Sequence, residues 1–202
     1  DYSGYGNNGT VNGAVFDGSG GRVGGAYQFD GVDDFMSVVD DDTLDFDNFT
    51  DFTLELWVKP TLLEDMVLLM KGDTFTQTGY GLFMTANGEV VFRVRDPEGE
   101  FEMKSPSSLL APQAYAHITA TADRDGPARL YVNGQLWATQ PFVDTSSNRI
   151  GNLTNNEPLL LGRDALPSYL FYSGFLDEAR LYRHLLTRGQ ILSHFILNYG
   201  FL

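Results

Sequence analysis

The sequence predicts an all-β fold: two antiparallel sheets packed as a sandwich and closed by a short C-terminal helix, in one domain spanning residues 1–202. Three observations carry this expectation. Short runs rich in Val, Phe, Leu, Tyr and Thr recur between clusters of Gly, Asn, Asp and Pro, the pattern of a sandwich rather than of βαβ units. Two hairpins can be read in register from their turn residues. Helical spacing appears near the end of the chain, behind a capping signature.

Taken in order, residues 1–25 (DYSGYGNNGTVNGAVFDGSGGRVGG) carry turn chemistry throughout and little periodicity, and alone read as a linker-like lead-in. Strands are expected near 26–30, 35–39, 52–59, 66–71, 80–85, 89–95, 100–103, 115–122, 128–133, 136–140, 158–162 and 174–182. In VFRVRDPEGEFEMK the turn Asp96-Pro97-Glu98-Gly99 sets Arg95 against Glu100 and Arg93 against Glu102, with Val94 and Phe101 on the opposite face. In RLYVNGQLWA the pair Asn133-Gly134 suits the two positive-φ positions of a type I′ turn, setting Val132 against Gln135 and Leu130 against Trp137. Thr187 and Gln190 match a capping box, and Ile191, Leu192, Phe195 and Ile196 follow at helical spacing.

A chain of 202 residues with 43% hydrophobic content can bury a sizeable core. Its formal net charge of -14 repels DNA, RNA and anionic lipid, which leaves nucleic acid out as a partner and favours cations as guests. Lys59, Lys71 and Lys104 are the only lysines, and aspartate outnumbers glutamate, a balance suited equally to a saline habitat or to ordinary secreted acidity. With no cysteine there is no disulfide, no thiolate chemistry and no cysteine-held zinc or iron–sulfur site. No apolar run approaches the roughly 18 residues of a membrane helix. A start at Asp1 rather than methionine fits a processed or excised chain, so an extracellular or cell-surface location is expected.

Four segments, GGAYQFDGVDDFMSVVDDDTLDF, DFTLELWVKP, HITATADRDGPARLYVNGQLWATQPF, and LLLGRD with FYSGFLDEARLYRHLLTRGQI, resemble in this order the laminin-G-like, concanavalin A-like lectin/glucanase superfamily, in its bacterial and archaeal extracellular branch. The resemblance runs from about Gly24 to Ile191 and implies a jelly-roll sandwich with sheets about 10 Å apart. Two departures stand out. The family's first, aromatic-containing strand has no counterpart before Asp1, so either excision of the chain removed it or a preceding segment or neighbouring subunit donates it to cover the open edge. Tyr115 also stands where the family prefers tryptophan. The architecture hosts sugar-binding modules, adhesive domains and glycosidases alike, so function rests on sites.

No catalytic residues are assigned. A strand-borne pair of carboxylates must alternate to share a face, and Glu55 has Trp57 two positions on. Glu100 and Glu102 alternate, about 6.5–7 Å apart by strand rise, but their arginine partners would keep both ionised and deny either the role of general acid. His117, His184 and His194 lie far apart in sequence, with no recognisable nucleophile beside them, and His117 reads as a core or rim residue.

Calcium is the metal expected, because it takes 6–8 hard oxygens and the turn Asp30-Gly31 with Asp33-Asp34 offers them. The resemblance implies that Asp177, in Gly174–Glu178, completes this site; the alternative is that Asp30 and Asp177 accept hydrogen bonds from loop amides, or pair with Arg180, and hold the loops without metal. The acids of VVDDDTLDFDNFTD (Asp40, Asp41, Asp42, Asp45 and Asp47) read instead as a hydrated loop, with Leu44 and Phe46 tucked under the sandwich edge.

A glycan needs an aromatic platform flanked by planar polar groups. The candidates are Trp137, Tyr169, Phe171 and Tyr172, with Arg93 and Arg95; Trp57 reads as core. The function expected is a non-catalytic, extracellular carbohydrate-binding module whose partner is a glycan or polysaccharide. The alternatives are a structural or adhesive subunit of a surface assembly and, behind it, a glycoside hydrolase or lyase.

Overall fold

The computed structural model describes residues 1–73, 77–142, 151–165 and 170–197. Its strands are β1 (Gly9–Asn12), β2 (Val15–Asp17), β3 (Ala26–Asp30), β4 (Phe35–Val38), β5 (Phe52–Pro60), β6 (Met66–Gly72), β7 (Gly79–Met84), β8 (Val90–Arg95), β9 (Glu100–Lys104), β10 (Ala116–Ala122), β11 (Pro127–Val132), β12 (Gln135–Pro141), β13 (Leu159–Leu161) and β14 (Ser173–Tyr182), followed by helix α1 (Arg188–Leu197). They form two seven-stranded antiparallel sheets, one in the order β1-β4-β13-β6-β7-β8-β9 and the other β12-β11-β10-β5-β14-β3-β2. The sandwich expected from the strand pattern is the one observed.

Alternation builds the core. On β5, Phe52, Leu54, Leu56 and Val58 face inward, opposite Phe92 and Val94 of β8 and Leu82 and Met84 of β7. Phe46 and Phe52 stack at 4.1 Å, and Phe92 meets Phe52 edge-on at 6.2 Å. Each such buried side chain stabilises the fold by about 1.5–3 kcal/mol.

The β8–β9 hairpin has the expected register, Arg95 opposite Glu100 and Arg93 opposite Glu102. In the β11–β12 hairpin Asn133 and Gly134 both have positive φ and Val132 faces Gln135, but Leu130 lies opposite Ala138 rather than Trp137. A bulge at Trp137 shifts the register, because one extra residue on an edge strand turns the alternation over. The lead-in is also more ordered than its glycines indicate: β1 pairs with β4 and β2 with β3, each too short for its own period to be visible. Thr187 and Gln190 close the capping box at the start of α1.

The acidic run after β4 proves to be structural. Lys71 of β6 is fully buried, and its Nζ sits 2.6 Å from Asp40 Oδ1, 3.0 Å from Asp45 Oδ1 and 2.7 Å from the Asn155 carbonyl. Asp41 caps the 3-10 turn Asp42–Leu44, and Asp47 accepts from the Phe49 and Thr50 amides. The expectation of a hydrated loop holds for the exposed Asp41, Asp42 and Asp47 and fails for Asp40 and Asp45, because a buried ammonium needs counter-charge. Leu44 and Phe46 are buried, as expected.

Candidate functional site

The outer face of the second sheet holds an organised polar surface. Its register sets three rows across β14, β5, β10 and β11. They are Asp177–Trp57–His117, then Arg180–Glu55–Thr119–Tyr131, then Tyr182–Thr53–Thr121–Arg129. These are the residues left facing outward once their neighbours fill the core. Trp57 is therefore buried, as expected, but beneath α1 rather than in the sandwich: Phe195 stacks on it at 5.8 Å and Arg22 lies over it at 5.4 Å.

Glu55, 1% exposed, is the hub of the middle row. His194 Nδ1 lies 3.0 Å from its Oε2, and His117 Nε2 lies 3.1 Å from its Oε1. The His117 contact is one of proximity, since neither ring nitrogen makes an aligned hydrogen bond. The Tyr182 hydroxyl donates to Glu55 at 3.2 Å, and Arg180 Nη1 stands 3.8 Å away. Burial pushes the Glu55 carboxyl up, but His117 and His194 more than offset this and hold it below its ordinary value. Burial, and then the Glu55 charge, push the Tyr182 phenol up to about 12. A carboxylate so enclosed is an anchor for α1, not a proton donor.

Beside this hub, between the third row and the start of α1, lies a cavity of about 350 Å³. Its walls are Thr121, Arg129 and Tyr131 from the sheet and the segment Leu185–Arg188 from the turn into α1. The turn is pinned by Thr53, whose hydroxyl donates to the His184 carbonyl and accepts from the Leu186 amide.

The residues expected to bind sugar do not come together. Tyr172 is fully buried, edge-on to Phe29, with its hydroxyl donating to the Phe175 carbonyl; it belongs to the core and cannot serve as a platform. Phe171, next in the chain, is half-buried, and Arg163 lies between it and Phe35, at 5.5 and 4.7 Å. Tyr169 lies outside the described residues. Trp137 is 38% exposed at the bulge of β12, an edge of the second sheet. Arg93 and Arg95 lie on the first sheet, where Arg93 bonds Glu102 and Arg95 bonds Glu100 at 2.7 Å. Glu102, pushed up by burial, is pulled below its ordinary value chiefly by Arg93.

The metal candidates divide likewise. Asp30, Asp33 and Asp34 bring one carboxylate oxygen each within 4.8 Å of one another. Asp30 accepts from the Val32 and Asp33 amides and Asp34 from the Asp30 amide, so the turn shapes itself around its own acids. Among the described residues no basic side chain pairs with any of the three. Burial raises the Asp34 carboxyl, whereas the Val32 amide leads in lowering that of Asp30. The donor set fits a hard cation taking carboxylate oxygens, as part of a shell. Asp177 is not part of it. Ser173, four residues before it on β14, is the residue opposite Asp30, which puts Asp177 about 13 Å further along the strand. Its Oδ2 instead accepts from the Arg22 and Val23 amides at 2.7 and 3.0 Å.

The hub and the cavity escaped sequence reasoning because their members lie far apart in the chain. The available signal was the polar alternation Thr53-Glu55-Trp57 and His117-Thr119-Thr121, which marks two outward faces without saying that they adjoin.

Two seven-stranded antiparallel sheets with a polar outer face under a terminal helix define a concanavalin A-like jelly roll. The chain belongs to the concanavalin A-like lectin/glucanases superfamily, whose laminin G-type profile matches residues 11–192. No curated protein matches it. Among solved structures it is similar to the binding domain of Paraclostridial Mosquitocidal Protein 1, with a TM-score of 0.79 at 18% identity over 96% of this chain and 48% of that one. It is also similar to domain 4 of AbnA, a GH43 extracellular arabinanase from Geobacillus stearothermophilus in complex with arabinotriose, with a TM-score of 0.66 at 16% identity over 92% and 86% of the two chains. A third is the Ruminococcus gnavus IT-sialidase CBM40 bound to alpha2,3 sialyllactose, with a TM-score of 0.60 at 20% identity over 72% and 83%. The chain spans about half the length of the toxin binding domain. No helix among the described residues is long and apolar enough to cross a membrane.

Proposed function

We propose that this chain is a non-catalytic carbohydrate-binding module, with the cavity over β10 and β11 as its site. One observation carries the reading: among the described residues the cavity is walled by two arginines, two threonines, a tyrosine and two leucines, with no carboxylate. Such walls suit a hydroxyl-rich ligand, which needs planar polar groups beside an apolar surface. Glycosidic cleavage needs two carboxyl groups at the scissile bond, and Glu100 and Glu102 stand on the other sheet, tied to Arg95 and Arg93. The sugar-bound modules of similar fold support a glycan partner. An extracellular setting and calcium at the Asp30–Asp34 turn belong to the same reading.

A glycan array followed by calorimetry tests it. The expected result is saturable binding of at least one saccharide class without release of reducing ends. An array without hits, or reducing-sugar release lost on Glu100→Gln or Glu102→Gln, would overturn it.

A further inference from the structure

Acidic residues outnumber basic ones by 27 to 13 in this chain, so an arginine has every opportunity to find a counter-charge. Most of the described ones do find a partner: Arg93, Arg95 and Arg180 pair with glutamates, Arg183 and Arg163 bond backbone carbonyls, and Arg22 and Arg124 are engaged as well. Among the described residues Arg129 and Arg188 alone hold no hydrogen bond, ion pair or aromatic contact. Both line the same cavity. Arg129 is half-buried on β11, and Arg188 is exposed at the first position of α1.

A third group in the wall also lacks a partner. Thr121 is 2% exposed on the outer face of β10, directly across from Arg129, and its Oγ1 makes no hydrogen bond. A buried hydroxyl is ordinarily bonded, so this one, closed to solvent behind the cavity wall, adds no counter-charge or acceptor for Arg129. Two guanidinium forks offer paired N–H donors matched to a carboxylate or sulfate. The first turn of α1 adds the favourable end of its dipole from the same wall, at Thr187 and Arg188. The volume of about 350 Å³ falls at the lower end of small-ligand sites, roughly 300–1,000 Å³.

We propose that this cavity takes the oxyanion of an acidic sugar residue, a uronate or a sulfate ester, with Arg129 and Arg188 pairing to the anion. The proposal rests on the carbohydrate-binding reading above and names the ligand class of that site. It also gives the two arginines a reason to stay unpaired in an acidic protein: a neighbouring carboxylate would occupy the fork that the ligand needs.

The experiment is calorimetric titration of the chain with an oligogalacturonate, a sulfated galacto-oligosaccharide, the matching neutral galacto-oligosaccharide and inorganic sulfate alone. One or both acidic sugars are expected to bind at least about tenfold tighter than the neutral one, and the tighter of the two names the source of the anion. Arg129→Gln and Arg188→Gln should each weaken that binding about tenfold without lowering the melting temperature, and about 1 M salt should weaken it further. Neutral sugar bound as tightly as acidic, with no effect of Arg129→Gln, would overturn the anion assignment and leave the module reading standing. Sulfate alone bound as tightly as the sulfated sugar would overturn the sugar assignment. Silence from every saccharide here and on the array would sink both readings.

Discussion

His194 Nδ1 lies 3.0 Å from Oε2 of Glu55, a contact across 139 positions of sequence that ties α1 to the centre of the second sheet. The helix needs this tie. It has ten residues, too few for stability on its own, and only Ile191 along it is buried. Phe195 over Trp57 and His194 on Glu55 do the rest, and the position of α1 in turn sets one wall of the cavity.

His194→Ala is expected to cost about 1.5–3 kcal/mol in urea unfolding, the range for a hydrogen bond to a charged group. Glu55→Ala should cost more, about 2–5 kcal/mol, because it removes the acceptor of the His194 and Tyr182 contacts and leaves a buried void. Because the folded carboxyl lies below its ordinary value of 4.5, its stabilising contribution is present above that pH and is lost as pH falls through the lower folded value. Melting curves of wild type and Glu55→Gln should therefore converge in acid. Curves that stay parallel down to about pH 3 would show that Glu55 does not anchor the helix through its charge.

Lys71 supplies a second prediction. Its ammonium is sealed at one end of the sandwich by Asp40, Asp45 and the Asn155 carbonyl. Asp45→Asn weakens that cage while leaving the cation buried, and should cost about 1–3 kcal/mol. Replacing the cation as well, in Lys71→Met with Asp45→Asn, should recover part of the loss, since well-packed apolar groups replace buried ion pairs at little cost. A double variant less stable than Asp45→Asn alone, measured by denaturant unfolding, would show that the ion pair is not the source of the effect.

The fold was largely legible because its signals are local. The Asp96–Gly99 turn, the Asn133-Gly134 turn and the Thr187–Gln190 cap each occupy a few adjacent residues, and each appears where expected, as do the strands they bound. The site was much less legible. A one-residue offset separates half-buried Phe171 from fully buried Tyr172, and composition cannot resolve it. The neighbourhood of Glu55 comes from β5, β10, β14 and α1, which only the sheet order brings together. Aromatic richness pointed to Trp137 and the 169–172 cluster. Arg129 and Arg188 stand out for what they do not touch, a property with no trace in sequence. The acidic run misled for the same reason, since nothing near Asp40 or Asp45 in the chain announces a buried lysine 31 or 26 positions away.

The turn Asp30–Asp34 carries the last prediction. Burial raises the Asp34 carboxyl above its ordinary 3.8, with the charges of Asp30 and Asp33 adding to the effect. An acid with a raised folded value favours folding when protonated, and that advantage is lost as pH rises through the folded value, so at neutral pH the Asp34 charge opposes the fold. With chelator present, Asp34→Asn should accordingly melt at or above the wild-type temperature, its amide oxygen still able to accept from the Asp30 amide. A bound calcium reverses the sign. At a concentration about 100 times its dissociation constant it stabilises by about 2.7 kcal/mol, and this increment should appear in the wild type and vanish in Asp34→Asn. Asp177→Ala separates this turn from the larger site that the family resemblance implied. It leaves the Arg22 and Val23 amides without their acceptor, so the variant should lose stability with and without metal while keeping the full calcium-dependent rise. A wild-type melting temperature that does not respond to calcium up to about 10 mM, beyond the weak end of extracellular sites, would remove the metal from this protein.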